Sequence, residues 1–274
     1  MFWAKVDARS LPINSGSSWD GKLSFKANLA YRISQPLELY ASFGEGFHSN
    51  DARGTTIRRD PVTGDAADRV PALVGSRGAE LGARWFPAGK INASLVAWTL
   101  DLGSELLFVG DAGGTEASRP SRRQGVELGV YLLDSGNLSG EFELSYTRAR
   151  FRDDDPAGRH IPGSIPLVIS GGVTWKPAPG WAVTPRVRYV GRYPLIEDAS
   201  TRAAPSLLVN LRLARDWHGF GVALDLFNLL DRRDQDVAYL YPSRLPGEPL
   251  AGVDDLHSHV FQPRSARLTV RKTF

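Results

Sequence analysis

The chain has 274 residues, a hydrophobic fraction of 42%, a charged fraction of 23% and a net charge of +3, which allows one large β-domain or two ordinary domains. It contains no cysteine, which excludes disulfide bonds and thiolate metal sites or nucleophiles. No run approaches the 18 or so apolar residues of a spanning helix, and no basic block indicates nucleic-acid binding.

In chain order, the sequence predicts about twelve strands with apolar side chains at alternate positions and no persuasive helical period. The first, residues 2–7, is a partial strand followed by a polar loop over residues 9–21. The predicted strands cover residues 2–7, 22–33, 37–43, 79–86, 91–109, 125–133, 138–151, 166–175, 181–191, 206–215, 220–230 and 264–274.

The connections alternate between short turns and long loops. Ser34-Gln35-Pro36 and Pro87-Ala88-Gly89 are short, whereas residues 44–78 and 231–263 are long. This alternation, with strands of about nine to eleven residues, is typical of outer-membrane β-barrels. Aromatic residues at both kinds of strand end predict two interfacial belts: Tyr31, Trp85, Phe86, Trp175, Trp181, Trp217 and Phe220 near short turns, and Phe43, Phe47, Tyr146, Phe151, Tyr189 and Tyr193 towards long loops.

The terminal segment, residues 264–274, has an apolar face interrupted by Lys272 and a basic face that carries Arg267 and Arg271. It is interpreted as a closing strand with one face to lipid and one to a wet lumen, which pairs with the first strand in a closed barrel. A soluble β-sandwich also alternates its faces. However, long loops on one side and many Arg and Glu residues on the second face favour the membrane barrel.

Several stretches, in order along the chain, resemble the carboxy-terminal half of a TonB-dependent outer-membrane receptor. They are LYASFGEGFHSNDAR (39–53), RRQGVELGVY (122–131), SYTRARF (145–151), LDLFNLLDR (224–232), YLYPSRLPG (239–247) and residues 263–274. The resemblance implies a barrel of about 22 strands plugged by an amino-terminal globular domain. It implies import of scarce ligands such as ferric siderophores, haem or cobalamin, with energy relayed by the TonB complex. It also implies that Phe274 is the aromatic end read by the barrel-assembly machinery.

We expect residues 1–274 to be one receptor β-barrel domain without plug, TonB box or signal peptide. Besides outer-membrane lipid, the expected partners are the missing amino-terminal plug and barrel half. Because unpaired strand edges have no water in lipid, the chain alone is expected to close as a narrower barrel, to find a partner or to fail to fold there. It is therefore not expected to transport alone. The alternative is a complete twelve-stranded pore or an autotransporter translocator barrel.

Residues just beyond the third predicted strand form a candidate ligand or metal contact. His48, Asp51 and Arg53 lie there, although a simple strand-to-loop exit explains the same composition. The geometry of a Ser–His hydrolase is not expected here, because His48 and Ser49 would point to opposite faces of a continuing strand. Neither an enzyme nor a cofactor is predicted.

A second candidate lies in the last long loop. His257 and His259 would share one face of a strand, where they could bind a metal or an anionic siderophore, and Tyr239 and Tyr241 belong to the same loop. Surface loops often carry such histidine pairs without a function, so a ligand contact is one of two alternatives. The acidic run Asp153-Asp154-Asp155 lacks the spacing of a calcium loop and indicates a solvated loop tip.

A third group is predicted to line the lumen. Its members alternate with apolar residues on their strands and would contact a plug or set ion selectivity. They are Glu80, Arg84, Glu127, Arg186, Arg188, Arg212 and Asp225.

Overall fold

The computed structural model describes residues 1–61, 64–104, 106–109, 114–117, 119–250 and 252–273, and the regular secondary structure of this part is almost entirely antiparallel β-strand. The one α-helix in this part of the chain is α1 (Ala52–Thr56), and short 3-10 helices cover Pro12–Asn14 and Pro87–Gly89. The strands are β1 (Phe2–Val6), β2 (Gly16–Asp20), β3 (Lys26–Ser34), β4 (Leu37–Ser49), β5 (Leu73–Trp85), β6 (Ile91–Leu102), β7 (Leu106–Val109), β8 (Gly114–Ala117), β9 (Ser121–Ser135), β10 (Leu138–Phe151), β11 (Leu167–Trp175), β12 (Trp181–Val190), β13 (Tyr193–Pro194), β14 (Arg202–Ala203), β15 (Ser206–Trp217), β16 (Phe220–Phe227), β17 (Gln235–Ser243), β18 (Val253–Val260) and β19 (Ser265–Lys272).

Eleven of these strands form one open sheet. Its order is β3, β4, β5, β6, β9, β10, β11, β12, β15, β16 and β19, so β3 and β19 are its edges. The other strands form four hairpins, β1–β2, β7–β8, β13–β14 and β17–β18. The first hairpin precedes β3, and the other three lie in long connections between strands of the sheet. The predicted all-β antiparallel fold with alternating short and long connections is confirmed.

The sheet has one apolar face because directly paired residues point the same way and successive residues alternate. One row of paired side chains crosses eight strands of this face: Leu39, Ala83, Leu95, Leu128, Leu144, Ile169, Tyr189 and Leu207. Large side chains on it stay exposed, including Leu81 and Leu95. The apolar face therefore buries little against the chain itself. No helix in the described residues is both long and apolar enough to span a membrane.

The prediction that residues 2–7 form a barrel strand paired with the terminal strand is wrong. β1 pairs instead with β2, in register from Phe2 with Asp20 to Val6 with Gly16. The predicted polar loop turns back because Asn14, which is buried, accepts hydrogen bonds from the Arg58 and Arg59 amides. This bonding ties the hairpin to a later loop, and the main sheet begins at β3 with eleven strands.

Three other predicted segments are also divided differently. The long strand over residues 91–109 is divided: β6 ends at Leu102, the Gly103 amide adds one more bond in the same register to the Gly75 carbonyl, and β7 begins at Leu106. The predicted loop over residues 44–78 begins later than expected, because β4 continues to Ser49, and it contains α1. The loop over residues 231–263 contains the β17–β18 hairpin.

The predicted aromatic belt near the long loops is partly wrong. Phe151 and Tyr193 are 0% and 7% exposed, because each belongs to a small core between loops rather than to an outer surface. Phe151 packs with Ala149 and Ile161, whereas Tyr193 belongs to the cluster that includes Ala238. Near the short turns the predicted aromatic side chains are exposed: Tyr31, Trp85, Phe86, Trp175, Trp181, Trp217 and Phe220.

Candidate functional site

The face opposite the apolar one, here called the polar face, carries all seven residues predicted to line a lumen. Pairing in register connects them, as in Arg84 with Ser94 and Arg212 with Asp225. Residues two apart on one strand also share a face, so pairing and alternation together place all seven residues on the same side of the sheet. The group consists of Glu80, Arg84, Glu127, Arg186, Arg188, Arg212 and Asp225. The structure brings these residues onto one surface, while their role there stays a prediction.

Arg84 is held on the polar face by two neighbours. Its Nη1 lies 3.2 Å from Glu38 Oε1, and its guanidinium carbon lies 4.5 Å from the centre of the Tyr40 ring. The Tyr40 ring in turn lies over Gly82, where a Cβ would be 2.6 Å from Tyr40 Cε1. The missing side chain of Gly82 thus makes room for the aromatic ring and the arginine stacked on it.

The middle of the polar face repeats this arrangement. The Trp98 indole donates to Glu127 Oε1 at 3.1 Å and covers Gly125, where a Cβ would meet its ring at 2.7 Å. On the next strands, the Tyr131 hydroxyl donates to the Glu143 carboxylate. Flat aromatic rings over glycines therefore position carboxylates along the surface.

The last three strands are joined on the polar face by one shielded carboxylate. Asp225 Oδ1 and Oδ2 accept from Arg212 Nη1 at 2.9 and 3.1 Å, and Oδ2 accepts from Arg267 Nη2 at 3.2 Å. Sequence reasoning missed the partners of the predicted residues, although the same alternation identifies them. The missed residues are Glu38, Trp98, Glu141 and Glu143, whereas Arg267 was assigned to the lumen face of the terminal strand.

The β17–β18 hairpin brings together the four residues predicted in the last long loop. Tyr239 is paired in register with His257, and Tyr241 and His259 are each two residues from one of them, on the same face. The Tyr241 and His257 rings stack with centres 3.9 Å apart, and His259 Nδ1 lies 2.9 Å from Asp236 Oδ1. His257 Nε2 is shielded without a hydrogen-bond partner. The hairpin thus presents an aromatic and imidazole surface.

The hairpin is fixed to the loop before β15. The Ala238 amide donates to the Tyr193 hydroxyl at 3.0 Å, and Ala238, Tyr193, Leu195 and Ala203 form a small apolar core with Leu240 packed against it. Burial raises the pKa of Tyr193 above its ordinary value. The Tyr–His surface is therefore held by packing on its other side.

His48, Asp51 and Arg53 do not converge on a common point. Asp51 accepts from the Arg53 amide at 2.9 Å at the start of α1 and also bonds the Arg53 guanidinium, which lowers the pKa of Asp51. No hydrogen bond in the described chain links His48 to either residue, and His48 Nε2 is shielded without a partner. His48 and Ser49 are successive residues of β4, so they point to opposite faces.

Arg119, which sequence reasoning missed, joins three long loops. It bonds Asp153 with Nε and Nη2 at 2.8–2.9 Å, the Gly158 carbonyl at 2.7 Å and Glu197 at 2.5 Å, and lies 4.2 Å from the Phe151 ring centre. The bond from Arg119 lowers the pKa of Asp153. The described residues contain no group of three His, Cys, Asp or Glu side chains that could hold a metal ion. Phe274 lies outside the described residues.

A family model described as "TonB dependent receptor-like, beta-barrel" matches residues 3–229. The structure is similar to the ferric yersiniabactin uptake receptor FyuA from Yersinia pestis (TM-score 0.74, 18% identity, 94% of this chain and 38% of that chain covered). It is similar to the ferric-catecholate import receptor Fiu from E. coli K12 (0.71, 15%, 95% and 35%) and to the copper transporter OprC (0.71, 17%, 99% and 43%). The chain spans about two fifths or less of the length of the first two, and these identities show the fold alone.

Proposed function

The chain belongs to the TonB-dependent receptor family of outer-membrane β-barrel proteins, and from that membership we propose that it forms part of a barrel that imports a scarce ligand. The proposed cargo is a ferric siderophore, haem, cobalamin or a similar molecule, and the energy comes through the TonB complex. Membership rests on the match over residues 3–229. Uptake is proposed for the whole barrel, because the chain covers only part of its structural neighbours.

One observation carries this proposal: a single antiparallel sheet with an exposed apolar face and a charged opposite face. In a membrane barrel the apolar face contacts lipid and the other lines a polar interior. The open edges β3 and β19 support a role for further strands, because unpaired backbone groups cost several kcal/mol each in lipid. A plug and the rest of a barrel are therefore the proposed partners, and the barrel-assembly machinery is the proposed reader of Phe274.

The polar face is proposed to contact a plug. Ion pairs hold several of its side chains in place, including Arg84 with Glu38 and Arg186 with Glu141 at 2.9 Å. Many of these groups keep exposed donors and acceptors; Arg186, for example, is 61% exposed. Such a preorganised charged surface suits a polar protein partner, since little side-chain entropy remains to be lost on contact.

The Tyr–His surface of β17–β18 is proposed to contact the ligand. Tyr239 and Tyr241 are exposed, and the Tyr241–His257 stack presents a flat aromatic edge. Aromatic surfaces contact planar ligands well, and polar tips add orientation. The names of two neighbours, receptors for ferric yersiniabactin and ferric catecholates, support a ferric siderophore as the first cargo to test.

The test measures uptake of a radioactive ferric catecholate siderophore by cells that express the receptor containing this chain. Uptake is expected to require TonB, and Tyr241→Ala with His257→Ala is expected to weaken binding about tenfold, since lost aromatic contacts of this kind are worth about 1–2 kcal/mol. Tyr31→Ala, an exposed tyrosine near a short turn, serves as the matched control. Equal uptake without TonB, or ion conduction by an open pore, would contradict the proposal.

A further inference from the structure

A row of charged side chains crosses the apolar face at its long-loop end. Its members are paired in register on β4, β5, β6, β9 and β10, and they form what is here called the charged row: Glu45, Arg77, Asp101, Arg122 and Arg150. Each lies an even number of residues from apolar-face positions of its own strand, as Glu45 does from Phe43, so the row points outward with them.

The charged row lies where an apolar surface gives way to a polar one. The adjacent row towards the short turns contains Phe43, Ala79, Thr99, Gln124 and Arg148, and the one after it Ala41, Leu81, Ala97, Val126 and Tyr146. Successive rows on one face are about 7 Å apart along the strands. Charge therefore replaces apolar side chains over about the thickness of a lipid head-group layer.

A depression of about 550 Å³ at this level is lined by more cations than carboxylates. Besides Glu45 and Asp101, its charged lining consists of Lys22, Arg77, Arg122 and Arg152. Arg122 bonds both oxygens of Asp101, at 2.6 and 2.8 Å, through Nε and Nη2, which leaves its Nη1 donors available. Arg77 lies 3.6 Å from Glu45.

Two cations of the depression lie outside its close ion pairs, although Arg152 is near enough to Asp101 to act on it electrostatically. Lys22 and Arg152 form no ion pair within the part of the chain that the structure describes. The Lys22 ammonium lies over Gly75, where a Cβ would be 2.9 Å from Nζ, so the glycine leaves space for it. With four cations and two carboxylates in its lining, the site has an excess of positive charge beside oriented guanidinium donors.

We propose that this depression binds the phosphate group of a membrane lipid in the leaflet at the long-loop edge. Guanidinium donors match phosphate oxygens in charge and geometry, and basic pockets beside a membrane attract anionic head groups. A lipid is favoured over a free anion because its acyl chains would lie along the exposed side chains immediately below, Phe43 and Leu81. The proposal does not depend on the imported ligand.

The test compares binding of diphosphoryl lipid A and its dephosphorylated form to the whole receptor that contains this chain, in detergent micelles, by native mass spectrometry. The phosphorylated lipid is expected to bind, and the dephosphorylated form to bind markedly less. Lys22→Gln with Arg152→Gln is expected to weaken binding about 30-fold, at about fivefold or more for each cation. The matched control is Arg215→Gln with Lys272→Gln, which removes two outward cations at the short-turn edge and is expected to change affinity less than twofold.

Three results would overturn the proposal. Equal binding of the dephosphorylated lipid by the unaltered receptor would show that acyl contact alone is responsible, and this arm does not depend on any variant folding. An equal loss in the control pair would show unspecific attraction to net charge. Competition by inorganic phosphate at the same concentration as the lipid would show a soluble-anion site.

Discussion

Replacing Asp225 by Asn is expected to destabilise the sheet where β15, β16 and β19 meet. The Asp225 carboxylate accepts from Arg212 at 2.9 and 3.1 Å and from Arg267 at 3.2 Å, and 9% of its side chain is exposed. The amide keeps the size of the side chain but removes its charge. Two guanidinium groups would then face a neutral group across three strands.

The size of the loss follows from burial. A hydrogen bond to a charged group contributes about 1.5–3 kcal/mol. Because Arg212 and Arg267 are 48% and 64% exposed, water replaces part of what they lose, and the expected cost falls to about 1–2 kcal/mol. With a urea m value of about 2 kcal/mol/M, the unfolding midpoint would fall by about 0.5–1 M.

The assay is urea unfolding of the receptor that contains this chain, in detergent micelles, followed by tryptophan fluorescence. Asp216→Asn is the matched control, because Asp216 lies 3.5 Å from Arg271 with both side chains 72% exposed. That pair is expected to contribute less than about 0.5 kcal/mol. If the two variants lowered the midpoint equally, the argument from shielding at Asp225 would be refuted.

Two further predictions concern the polar face and the long loops. Gly82→Ala is expected to push the Tyr40 ring away and to lower the free energy of unfolding by about 1–3 kcal/mol in the same urea assay. Gly78→Ala on the same face is the control and is expected to cost far less, because a Cβ at Gly78 would lie 3.6 Å from its nearest atom. Equal losses in the two variants would contradict the packing of the Tyr40 ring over Gly82. Burial and the neighbouring Arg150 lower the pKa of His160, so the folded loop favours the neutral imidazole. The loop is therefore expected to be most stable above about pH 6.5 and to lose stability as the pH falls below that value. Amide exchange of residues 152–166, corrected for intrinsic rates, should show this decrease, and His160→Gln should abolish it; an unchanged decrease in the variant would point to another group.

The faces shared by the candidate residues could be predicted wherever alternation alone decides them, while the roles of these residues stay predictions. The seven residues assigned to the polar face share it, because a period of two needs only the strand itself to be correct. The grouping of His257 with His259 holds for the same reason. Arg119 was not found, because its partners Asp153 and Glu197 are 34 and 78 residues away in the chain.

The local sequence determined the strands, the two faces and the alternation of short turns with long loops, because side-chain period and turn residues act over a few positions. It also carried the resemblance to the family. Only the tertiary structure decided which strands pair. Residues 2–7 have the pattern of a sheet strand, yet residues 2–6 pair with residues 16–20, because a buried asparagine anchors that hairpin to a distant loop. Phe151 and Tyr193 look like belt residues, but contacts between separate loops bury both.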